Sequence, residues 1–181
     1  MWESAAKYLA DLEKRNIKIP ISVNISRVHI NNTCLIEVLG GIVEKYHIDP
    51  QLLELEITEN LFMQDVSLLY DSMLELKEAG FIIEMDDFGS GYSSLNMLRD
   101  APVDVIKIDR FFLDEVMSTK RGRIIVENSI TMSKQLGLRV VAEGVETREQ
   151  VEFLKGAGCD YAQGYYYSKP ISIEEFEKLL L

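Results

Sequence analysis

Four short segments of this chain alternate between apolar and polar residues, and a helix-length stretch separates each from the next. Ile21, Val23 and Ile25 interleave with Ser22, Asn24 and Ser26, and Leu53, Leu55 and Ile57 with Glu54, Glu56 and Thr58. Ile83 and Met85 interleave with Glu84 and Asp86, and Ile106 and Ile108 with Lys107 and Asp109. Period two means strands with one apolar and one polar face. The polar face is the constraint. Half of its members are carboxylates, which are buried only when paired or bound to metal.

The spacing predicts strands at 21–26, 53–59, 81–87, 103–109, 138–143 and 160–163. Helices are predicted from Trp2 to near Asn16 and over 34–46, 66–79, 121–136, 147–157 and 173–181. Gly80, Gly137 and Gly158 stand just past three of these, where a helix C-terminus favours glycine. Strands recur at intervals of roughly 20 to 35 residues, the signature of βαβ units and a parallel sheet. No linker or internal repeat interrupts the pattern, so residues 1–181 read as a single domain. Parallel strands covered on both faces read as continuous apolar runs, and these do not. The fold expected is a TIM-like (β/α) barrel, with helices over the apolar outer face, polar groups inside and a site at the C-terminal strand ends. A half-exposed antiparallel sheet gives the same alternation, but the intervening helices argue against it.

Charge narrows the partners. The chain has 19 Lys and Arg against 30 Asp and Glu, a net charge of −11. Binding to polymeric nucleic acid is therefore not expected, because phosphate backbones are held by Lys and Arg. A single phosphodiester is compatible if a divalent cation stands between it and the carboxylates. No run of about 18 apolar residues predicts a membrane span, and residues 1–10 do not read as a signal peptide. Cys34 and Cys159 are far apart and suit a reducing compartment. The expectation is a cytoplasmic chain without membrane contact.

Several residues at strand ends carry chemistry. Asn24, Glu56, Asp86 and Asp87 are hard oxygen donors suited to Mg²⁺ or Mn²⁺. Asp86-Asp87 ends a strand and opens a loop with Gly89, Ser90 and Gly91. Adjacent strand residues point to opposite faces, but a bend lets both acids reach one site. Lys107, flanked by core-like isoleucines, can orient a water or offset charge on a phosphate. Glu143 and Glu146 bracket Gly144-Val145; an alternative for Glu146 is that it merely favours the dipole of the helix capped by Thr147. Gln163-Gly164 closes the last strand, where the amide can bind a ligand or a carboxylate. His29 and His47 are read as solvated, without a metal role, and Tyr165, Tyr166 and Tyr167 as packing residues rather than base-stacking ones.

Taken in order, Ser22–Ser26, Glu56-Ile-Thr-Glu59, Asp86–Ser94, Lys107-Ile-Asp109, Ala142–Glu146 and Gln163-Gly164 resemble the EAL family of cyclic di-GMP phosphodiesterases along essentially the whole chain. The resemblance implies hydrolysis of cyclic di-GMP to linear pGpG with two Mg²⁺ or Mn²⁺ ions. By matching position, it implies that Asn24, Glu56 and Asp86 bind the first ion and Asp86, Asp87 and Glu143 the second. Lys107 would position the attacking water, and Glu143 carries the family's general-base assignment. Glu59 would anchor the 87–94 loop, while Asp109, Glu146 and Gln163 support the site. Ser90 stands where threonine is more usual, and keeps the hydroxyl.

One departure is large. No Glu-Ala-Leu occurs in this chain, although that motif supplies the family with a metal ligand on the first barrel strand. Six strands are counted where a β/α barrel has eight. The expectation is an EAL-type domain missing its N-terminal portion, weak or inactive as a hydrolase, and self-associating through its open strand edges. The alternative is a non-catalytic module that binds cyclic di-GMP or a protein.

Overall fold

The structure is a computed structural model describing residues 1–30, 34–62, 66–89, 95–117 and 119–180. Six strands form one sheet in chain order: β1 (Ile21–Asn24), β2 (Leu53–Thr58), β3 (Ile83–Phe88), β4 (Val105–Ile108), β5 (Arg139–Ala142) and β6 (Tyr161–Ala162). Every neighbouring pair is parallel. Each strand is thus added to the same growing edge through a helical crossover, as in a β/α barrel. Among the described residues the sheet remains open between β1 and β6. The result is a part-barrel of TIM-like type, as the sequence implied.

The helices are α1 (Trp2–Lys14), α2 (Arg27–Ile30), α3 (Leu35–Tyr46), α4 (Glu59–Phe62) and α5 (Val66–Glu78), then α6 (Leu95–Asp100), α7 (Arg110–Met117), α8 (Lys120–Gln135), α9 (Arg148–Ala157) and α10 (Ile173–Glu177). Their local chemistry is clearest in α9. The Thr147 hydroxyl accepts from Gln150 N at 3.2 Å, the Gln150 side chain answers by accepting from Thr147 N at 2.9 Å, and Gly158 closes the helix at φ +79°. The expected strand ends at Glu59 and Asp109 are corrected, because the chain turns helical at Glu59 and Arg110. The helices α2, α4, α6 and α7 were not legible, since one or two turns carry too little periodicity to read.

The apolar faces of the strands meet the helices. Leu53, Leu55, Ile57, Ile83, Met85 and Ile106 are fully buried, in one cluster with Leu9, Leu39, Met73, Val126 and Ile130 of α1, α3, α5 and α8. The opposite, inner face carries Ser22, Glu54, Glu84, Lys107 and Arg139. Between β3 and β4 the register passes from Met85↔Ile106 to Phe88↔Ile108, so β3 contains one extra residue. Asp87 takes a left-handed φ of +59° in this bulge. Met85 and Phe88 both stay in the core, and Asp86 and Asp87 lie half-buried between them.

Candidate active site

Parallel register brings the sequence-predicted acids to one end of the sheet. Asn24 stands beside Glu56, and Thr58 beside Asp86. From the facing strand β4, the Lys107 ammonium reaches Glu56 Oε1 at 2.5 Å, Glu143 Oε1 at 2.8 Å and Asp86 Oδ1 at 3.4 Å. The lysine side chain is 7% exposed, so these charges interact with little screening by water. Burial alone would depress Lys107, yet hydrogen bonds and charge from Glu143 and Glu56 leave it raised above an ordinary lysine.

The carboxylates feel the same crowding. Burial raises Glu143; Lys107 opposes this, while Asp86 and Glu56 add to it. Asp87 is raised by burial, then by Asp86 and Asp109, against the pull of Lys107. Negative charge therefore exceeds what one ammonium offsets. Among the described residues no three acids or histidines are drawn together as an ion cage, because Lys107 stands between them. The donor set itself fits a hard divalent cation: carboxylates on three different strand ends, with Asn24 adjoining.

Surrounding residues fix the loops. Glu59 is fully buried, and its Oε2 accepts from Gly89 N at 3.0 Å, tying the start of α4 to the turn after β3. Gly89 has φ +96°, and a Cβ there would strike the Phe112 ring at 2.6 Å. Ser90 and Gly91 lie outside the described residues. Asp109 Oδ1 accepts from Phe111 N and Phe112 N, which caps α7. Glu146 pairs with Arg110 at 2.8 Å, a partner that sequence reasoning missed because Arg110 opens α7 while Glu146 lies in the loop after β5. Gln163 follows β6, its carbonyl accepting from Val145 N at 3.0 Å, and the residue lines the inner cavity together with Lys107.

Two readings are corrected. Tyr165, Tyr166 and Tyr167 do not pack into the core; all are exposed, in a turn pinned by Val145 O, with Tyr166 edge-on to Tyr167 at 5.2 Å. His29 is not simply solvated, since its ring packs edge-on against Trp2 at 4.5 Å and its Nδ1 accepts from Ser26 N.

Below the acids lies a second polar tier, in which Arg139 joins Glu54 and Glu84 of the alternating polar face. Glu54 and Glu84 are buried, and Arg139 Nη2 donates to Glu54 Oε1 at 2.8 Å. Burial, then Glu54, pushes the Glu84 carboxyl up to about 8. A carboxyl raised in the folded state contributes stability at low pH that is lost as pH rises through that value. Unfolding free energy should thus fall between about pH 4.5 and about pH 8, and Glu84→Gln should flatten that fall. Urea titrations of both proteins across the range check this; parallel pH profiles would refute it.

Comparison with known proteins fits this arrangement. The EAL domain family model matches residues 1–170. The chain is 35% identical over 176 residues to cyclic di-GMP phosphodiesterase PA2567 of Pseudomonas aeruginosa, covering 97% of this chain and 30% of that protein. It spans less than a third of the length of the first curated relatives it matches. Among solved structures, the EAL enzyme Bd1971 in its cAMP- and cyclic-di-GMP-bound form superposes with a TM-score of 0.92 at 29% identity, over 99% of this chain and 50% of that one. The manganese/cy-diGMP complex of Klebsiella pneumoniae BlrP1 superposes with a TM-score of 0.83 at 27% identity, over 93% of this chain and 44% of that one. Matched along nearly its whole length, this chain belongs to the EAL domain family.

Proposed function

We propose that residues 1–181 are one EAL-type unit of a cyclic di-GMP phosphodiesterase, working in the cytoplasm on the cyclic dinucleotide and not on polymeric nucleic acid. The observation that carries this reading is the convergence of Glu56, Asp86 and Glu143 on Lys107 at the C-terminal strand ends. Asn24, Glu56 and Asp86 would hold one Mg²⁺ or Mn²⁺, and Asp86, Asp87 and Glu143 a second. Bound there, such ions activate water and neutralise the charge developing on the phosphoryl group. Lys107 would orient the water. Glu143, raised by burial, is suited to accept its proton. Glu59, Asp109, Glu146 and Gln163 would hold the loops in place, with the glycines of the 87–94 segment giving close approach to the ligand.

The second reading, a module that binds cyclic di-GMP with weak or no turnover, is favoured by the absence of Glu-Ala-Leu from this sequence. Both readings share one test. The purified chain should bind Mn²⁺ by electron paramagnetic resonance and retain cyclic di-GMP in equilibrium dialysis with that ion present. Asp86→Ala should weaken Mn²⁺ binding by roughly tenfold or more. Linear pGpG in the dialysate separates the enzyme from the binding module. Failure to bind either the ion or the dinucleotide sinks both.

We also propose self-association. The open β1 and β6 edges leave backbone groups available for pairing with a second copy. Light scattering should show a dimer or larger species at tens of micromolar, and a stable monomer would refute it.

A further inference from the structure

We propose that the lower tier of the barrel interior is a binding site for a small organic cation, a primary ammonium group seated on Glu84. This goes beyond the phosphodiester site and does not depend on it, because ligand class and location both differ. The position is a cavity of about 270 Å³ beneath Lys107. Glu54, Glu84 and Arg139 line it together with Val105, Val141 and Ala162. It therefore combines an apolar wall with a few convergent polar groups, the usual make-up of a small-molecule site.

The ligand's donor group follows from what the cavity lacks. Glu84 is 2% exposed, and its Oε2 has no hydrogen-bond partner. Ser22 and Glu54 reach the Glu84 carboxyl, but they leave that oxygen unanswered. A buried acceptor left unpaired is costly, so the oxygen favours any donor that can enter. Among the described residues lining the cavity the cations are Arg139 and Lys107. Arg139 is engaged by Glu54, and Lys107 by Glu56, Asp86 and Glu143 above. Two carboxyl groups thus face one committed guanidinium. An ammonium supplies the donor that Glu84 Oε2 lacks, and its alkyl part fits against Val105, Val141 and Ala162. A divalent ion would find only two acids here and an apolar wall opposite. An anion would meet the unpaired carboxyl.

Access runs from the N-terminal end of the sheet. A second cavity, of about 570 Å³, shares Pro20, Glu54, Arg139 and Tyr161 with the first and is lined also by Asp49 and Asp104. The entrance carries charges of both signs, with Lys18 as well as Asp49 in its lining and with Asp104 paired to Lys77, and the path does not cross the strand ends that bear Asp86 and Asp87.

The test uses ethylammonium chloride, with equal concentrations of sodium chloride as control, in amide NMR titrations of the full chain saturated with Mg²⁺. Saturable shifts are expected at Ser22, Val105 and Ala162. Glu84→Gln should weaken binding by about tenfold or more. Arg139→Gln, which removes the competing cation, should tighten it. Glu56→Gln should leave it unchanged, which separates this site from the acids around Lys107. Absence of saturable shifts at tens of millimolar overturns the proposal. So does unchanged affinity in Glu84→Gln, weaker binding in Arg139→Gln, or loss of binding in Glu56→Gln.

Discussion

Replacing Lys107 with methionine is expected to destabilise the metal-free chain by about 3–5 kcal/mol, the usual cost of leaving buried charge without its partner. The side chain holds three carboxylates from three other strand ends, at 2.5, 2.8 and 3.4 Å. Methionine keeps the length and the apolar stem, so the loss isolates the ammonium. Mutual repulsion among Glu56, Asp86 and Glu143 is then unopposed, and their burial prevents water from screening it. The same variant should gain more stability from Mn²⁺ than the parent does, because a cation would find the carboxylates already released. Urea unfolding with chelator and with Mn²⁺, on both proteins, gives the four numbers required. If Lys107→Met is as stable as the parent in chelator, or gains no more from Mn²⁺, then Lys107 does not stand in for a cation.

The second large effect concerns Gly164, immediately after Gln163. A Cβ built there would lie 2.3 Å from both the nitrogen and the oxygen of Val145. These are backbone atoms, and neither can rotate away. The contact closes a reciprocal bridge, in which Val145 N donates to Gln163 O at 3.0 Å and Tyr166 N donates to Val145 O at 2.9 Å. The Glu143–Glu146 loop is therefore seated on the turn after β6. Gly164→Ala must push the two apart, at about 3 kcal/mol by combined overpacking and backbone strain. Glu143 and Glu146 should move with their loop, so Mn²⁺ affinity should fall together with the melting temperature. A variant as stable as the parent in urea would show that the loop absorbs a methyl group freely.

Much of this arrangement was legible, and the reasons are specific. Period-two alternation identified β1 to β4 and the inner face bearing Asn24, Glu56, Asp86 and Lys107, because a strand reports its two faces through sequence parity alone. Thr147 and Gly158 marked α9 because caps are local chemistry. Other features depend on distance along the chain. Lys107 lies 51 residues from Glu56, and no spacing rule announces that they touch. The pairs Arg139–Glu54 and Arg110–Glu146 were invisible for the same reason. Short helices such as α4 and α7 begin where a strand's alternation seems to continue, so Glu59 and Asp109 read as strand residues. The exposure of Tyr165, Tyr166 and Tyr167 was missed because aromatic runs usually pack.

The bulge in β3 has a consequence for how this segment encodes its chemistry. Met85 and Phe88 are an odd number of positions apart and yet share the core side, because the extra residue shifts the parity between them. Two adjacent acids can then stand half-buried between two core residues. The information lies in the count of residues as much as in their identity. Removing a single codon at Asp87 would restore regular alternation, leaving Phe88 two positions after Met85 and still on the core side, with Asp86 alone on the inner face. A substitution at Asp87 removes one carboxylate; a deletion there would also remove the bulge that lets two adjacent acids stand between two core residues.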